Sequence, residues 1–125
     1  MNQSIEKLKA EINELNNILF IAVESFKIVE YLSKMEDDLD KSYIKNKNGF
    51  FRYVLITNWR ITVIELCKLL SGGKNEANDL RRFINKLRPE GEFGHAGISS
   101  AKIKEWQEKL SKEKTAINNL VIQRN

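Results

Sequence analysis

The chain has 125 residues, of which 42% are hydrophobic and 30% charged, and its net charge is +4. That length fits one domain, 1–125, able to bury a core without disulfides or metal. The composition is neither that of a membrane protein nor that of a disordered chain. The single cysteine, Cys67, excludes an intramolecular disulfide and points to a reducing, cytoplasmic setting. The opening MNQSIEKLKAEINEL has no apolar run behind a basic start, so no signal peptide is expected.

Charge is unevenly placed. Residues 1–40 hold four Lys against nine Asp or Glu, a balance of −5, and the remainder carries +9. A basic body beside an acidic first helix suits nucleic-acid contact, and equally suits charge complementarity within the chain or across a dimer.

Glycines cluster at 72–73 and 91–97 and the only proline is Pro89, which leaves long helical windows between them. The first window runs from about Gln3 to Lys34. Ile5, Leu8, Ile12, Leu15, Leu19, Ala22, Phe26 and Val29 step by threes and fours, a heptad seam on one face. The seam is narrow as far as Leu15, where Ile5, Leu8, Ile12 and Leu15 are candidates for a dimer or partner-protein contact. From Ile18 it widens, which predicts that the later turns are core. Residues 35–49 are polar and read as a loop or short helical turn, ending at Asn48-Gly49.

Phe50 to Leu70 is apolar in nearly every direction and predicts the central, most buried helix. Arg52, Asn58, Arg60, Glu65 and Lys68 interrupt it, which argues against a bilayer span. Arg60 and Glu65 are expected to reach an edge or pair across helices. Ser71-Gly72-Gly73 ends this helix, and Asn75 is the expected cap of a third, from Glu76 to about Lys86. The loop PEGEFGHAG reads as a flexible connector on which Phe93 and His95 are stackable rings able to touch a partner. Ser99 then caps a fourth helix, with Ile98 and Ile103 at the spacing of a hydrophobic staple. Its stepping through Ile103, Trp106, Leu110, Ile117 and Leu120 carries Glu113 and Arg124 onto the apolar face. The sequence therefore predicts an all-α bundle of about four helices with a long N-terminal helix.

Catalytic patterns are sparse. With His95 the only histidine, no His pair is possible, and neither glycine cluster has phosphate-loop spacing. Glu36, Asp37, Asp38 and Asp40 lack calcium-loop spacing, so no metal and no cofactor is expected. Arg81, Arg82, Lys86 and Arg88 cluster on the third helix as candidate RNA-binding residues, able to neutralise phosphates.

The segment NWRITVIELCKLLSGGKN (58–75) and the final helix KIKEWQEKLSKEKTAINNLVIQRN (102–125) resemble the HEPN superfamily, within it the abortive-infection U-type branch. Similar proteins end a central apolar helix in a Leu-rich turn and a glycine loop. Their last long helix carries an arginine, a polar residue, and a histidine shortly after. Arg124-Asn125 matches the opening of that motif. The resemblance implies a bacterial phage-defence or toxin–antitoxin role. It also implies a homodimer whose paired arginines and histidines form a metal-independent RNase site, with Arg124 the catalytic arginine. No histidine follows Arg124 here. The expectation is a longer natural chain, and no RNA cleavage by this one. The alternative reading is a non-enzymatic helical interaction or dimerisation module.

Overall fold

A computed structural model describes residues 2–34, 41–42, 48–72 and 78–124. Among these, α1 spans Asn2–Ser33, α2 Asn48–Leu70, α3 Leu80–Lys86, α4 Ser100–Lys112 and α5 Lys114–Arg124. A single 3-10 turn covers Gly94–Ala96, and no strand occurs among the described residues. The all-α reading and the long first helix hold. The acidic run 36–40 and the expected cap Asn75 lie outside the described residues.

α1 and α2 run antiparallel. Ile28, Tyr31 and Leu32 lie beside Phe51 and Val54, while Ala22 and Phe26 lie beside Thr62 and Leu66. At 32 residues α1 is about 48 Å long, against about 35 Å for the 23 residues of α2. The first turns of α1 therefore need another partner. They find it in α3, the loop after it, and α4. There Ile84, Leu87, Phe93 and Ile103 form a buried cluster against which Leu8, Phe83, Trp106 and Leu110 pack.

The third helix starts later than the sequence predicts. Asp79, extended and only 2% exposed, accepts hydrogen bonds from the backbone N–H groups of Arg81 and Arg82. It also accepts one from Gly72 N–H at 2.6 Å. One carboxylate thus caps α3 and ties it to the end of α2.

The loop after α3 is a compact wrap, a correction to the flexible connector. Phe93 N–H bonds to Lys86 O at 2.7 Å and Gly91 N–H to Arg88 O at 2.7 Å, closing the exposed end of α3. Phe93 is fully buried and so is not a ring free to stack on a partner; His95 beside it is exposed. The staple reads correctly: Ser99 Oγ accepts from Lys102 N–H at 3.2 Å, and Ile98 and Ile103 both join the core.

The final helix is two helices. Glu113 (φ −93°, ψ 12°) closes α4, its N–H bonded to Leu110 O and Ser111 O. Residues 111–116 are all exposed, so no apolar side chain holds the helix straight. α5 turns onto α2, burying Ile117. The break leaves Glu113 exposed rather than on the apolar face; Arg124 shares the Ile117–Leu120 face of α5 but is exposed at its end.

Candidate interaction surface

α1 meets the rest of the chain along Leu8, Glu11, Leu15, Ile18, Ala22, Ser25, Val29 and Leu32, all buried or half-buried. This is a heptad seam, but not the one hydrophobicity selects. It shares Leu8, Leu15, Ala22 and Val29 with the sequence reading and replaces the other column. The displaced column lies open to solvent: Ile5 is 39% exposed, Ile12 39%, Leu19 46% and Phe26 41%. Of the four residues singled out by sequence, Leu8 and Leu15 therefore pack inward, while Ile5 and Ile12 face outward. Nor is the widened part of α1 enclosed, since Phe20, Ile21, Val23 and Ile28 are also exposed.

Packing geometry explains the choice. Ala22 and Thr62 are 1% and 2% exposed and flank one groove where α1 meets α2. Small side chains there let the helix axes approach. Ser25, 7% exposed, continues that small-residue seam.

α2 also differs from expectation. It packs on α1, α3 and α5, yet Tyr53, Ile56, Arg60 and Ile64 form an exposed stripe. Its polar residues are met within the helix. Asn58 Nδ2 donates to Val54 O, Thr62 Oγ1 donates to Asn58 O, and Lys68 Nζ pairs with Glu65, each at 2.8 Å. Among the described residues no buried side-chain nitrogen or oxygen lacks a hydrogen bond.

Beside the open column lies a cleft of about 640 Å³, lined by Leu8, Ile12, Phe83, Leu87, Trp106 and Leu110 among others. Further along the same side of α1, a groove of about 480 Å³ runs between Val23, Phe26, Trp59, Leu66 and Leu120. Both are nearly free of polar groups. Lys109 stands at the cleft edge, bonded to Glu105 at 3.2 Å, with Lys102 on the same carboxylate at 3.3 Å. Lys109 and Lys102 hold the Glu105 carboxyl below its usual range.

An electrostatic clamp sets the angle of α1 here. Lys86 Nζ meets Glu11 at 2.8 Å and Glu92 at 3.8 Å, and lies 5.7 Å above the Phe93 ring. Lys7 hydrogen-bonds Glu92, which lowers the Glu92 pKa and raises that of Lys7. The acidic first helix and the basic body are in this respect complementary within one chain. Such pairs add little stability individually.

That clamp bears on the four candidate RNA-binding residues. Lys86 is committed to Glu11 and Glu92, and Arg88 meets Glu90 at 3.0 Å. Arg81 is exposed and Arg82 half-buried, so the four do not share one open cationic face. Cys67 is 1% exposed, out of reach of a substrate. Among the described residues no group of three His, Cys, Asp or Glu is placed to hold a metal. Among them, too, no helix is long and apolar enough to cross a membrane.

Sequence reasoning missed Asp79, the cleft and the anchoring role of Phe93. The Gly91-Glu92-Phe93-Gly94 spacing was the available signal, an aromatic residue held between two close backbone approaches. Comparison with family models, with curated proteins and with solved structures finds no match to this chain.

Proposed function

We propose that this protein is a helical interaction module whose working surface is the open column of α1 with the cleft and groove beside it. The observation that carries this is the exposure of Ile5, Ile12, Leu19 and Phe26, four apolar residues at strict heptad spacing on one helix. Single exposed apolar residues are ordinary, but a contiguous row beside an apolar cleft marks a contact site. Self-association is the simplest form of that contact.

Light scattering tests it. The chain is expected to run above its monomer mass of 14.5 kDa, and the Ile12→Gln/Leu19→Gln/Phe26→Gln variant at that mass with unchanged helical circular dichroism. The three side chains are exposed, so their loss leaves the fold in place. A variant that keeps the wild-type mass removes the column from the contact.

A second reading, RNA-directed and HEPN-like, draws on one feature. Leu120 lines the groove, and Arg124, exposed and one turn further on, shares its face of α5. A partner seated in the groove would therefore border Arg124, which suits the role the resemblance gives it. There it would stabilise negative charge developing on a phosphate. An RNA cleavage assay on a chain extended through the motif histidine, with and without Arg124→Ala, checks this. Equal activity in both would exclude Arg124 from the chemistry.

A further inference from the structure

We infer that the occupant of the α1 column is the α1 helix of a second copy, lying antiparallel with the two-fold axis between Leu15 and Asn16. This deepens, and depends on, the interaction-module reading. The argument starts from the symmetry of the column. An antiparallel two-fold pair places each residue opposite one equally far from the axis on the other helix. About a centre between residues 15 and 16, Ile5 faces the second copy's Phe26 and Ile12 faces its Leu19. All four exposed positions are then matched, in layers that repeat by symmetry, and a seven-residue shift would strand one at each end. A partner unrelated in sequence would need no such self-matching.

Asn16 supports the same register. It is exposed and lies between Ile12 and Leu19 on that face, at the middle of the row, whereas Lys9 lies between Ile5 and Ile12 near its end. In this register Asn16 meets its own copy beside the axis, where each amide can donate to and accept from the other. Other registers set it against Leu or Phe, leaving its polar groups unmet. An Asn at the centre of a seam selects register in this way.

Size decides how deeply the second helix sits. The segment from Ile5 to Phe26 is about 32 Å long and about 10 Å wide, a footprint of roughly 300 Å². A stable dimer buries about 800 Å² per partner. The column alone is too small. The second helix must also settle over the cleft at Phe83, Trp106 and Leu110 and the groove at Val23 and Leu120, whose volumes of about 640 and 480 Å³ leave room for apolar side chains.

The register is tested by disulfide trapping with Ile12→Cys and Leu19→Cys chains, each exposed and tolerant of change. Buried Cys67 stays out of reach. Like residues would be about 10 Å apart along the axis, beyond the ~7 Å Cα limit of a disulfide. An equimolar mixture of the two variants is expected to give a cross-linked species at twice 14.5 kDa, and each variant alone is expected to give none. Cross-linking of Ile12→Cys to itself would mean parallel pairing or the seven-residue shift, and either overturns the register. A dimeric mass without either cross-link would move the contact to another surface, such as the Tyr53–Ile64 stripe, and also overturn it. A chain that stays at 14.5 kDa at every concentration would overturn self-association itself.

Discussion

A Cβ added at Gly94 would fall on the Pro89 carbonyl oxygen, and one at Gly91 would lie 2.5 Å from Lys86 O. Both clashes are with backbone, which cannot swing aside as a side-chain tip can. Those approaches let the loop fold under Phe93 and place its ring at the centre of the cluster with Ile84, Leu87 and Ile103. Gly94→Ala is therefore expected to destabilise the fold by about 1–3 kcal/mol, the range for overpacking a closed site. Gly49 is the control. It lies in α2 with nothing within 4 Å of its would-be Cβ, so Gly49→Ala is expected to stabilise by up to about 1 kcal/mol. Urea unfolding of the two variants reads both signs. A neutral Gly94→Ala would mean the loop relaxes freely and Phe93 is not held by it.

At the scale of elements, fold class and most helix spans were legible because glycine, proline and caps act locally. Ser99 with its Ile98–Ile103 staple is the clearest case, since everything that sets it lies within five residues. The face that each helix buries was less legible. In α1 both candidate seams contain Leu8, Leu15, Ala22 and Val29, and they differ only in the second column. Hydrophobicity favours Ile5, Ile12, Leu19 and Phe26. The chain instead turns Glu11, Ile18, Ser25 and Leu32 inward. The reasons are tertiary: Glu11 meets Lys86, 75 residues away, and Ser25 and Ala22 let α2 come close. No window along α1 contains Lys86 or Thr62. Arg124 keeps the predicted face, that of Ile117 and Leu120 in the same helix, but stands exposed at its end, while Glu113 sits at the break itself, where the straight-helix assumption fails. The cap of α3 fails differently, because Asp79 is chosen by its bond to Gly72, seven residues back, and a local scan stops at the first Asn it meets.

For the whole molecule, exposed apolar surface and assembly are one question. Among the described residues fourteen large apolar side chains stay exposed, nine of them on α1, so association would remove from water what folding alone leaves there. Linkage follows, because a partner that binds only the folded state raises its apparent stability with concentration. The melting temperature is thus expected to climb over a dilution series, and for Ile12→Gln/Leu19→Gln/Phe26→Gln to stay flat. Asn16 sets the direction of a finer effect. In the proposed pairing its amide would trade stability for a single alignment, as polar residues in apolar seams do. Asn16→Leu is expected to tighten the dimer by roughly tenfold, about 1.4 kcal/mol, while admitting alignments the amide forbids. Combined with the trapping pair, it should let Ile12→Cys chains begin to cross-link with themselves. If Asn16→Leu leaves both affinity and cross-linking unchanged, Asn16 lies outside the seam and the axis must be sought elsewhere along α1.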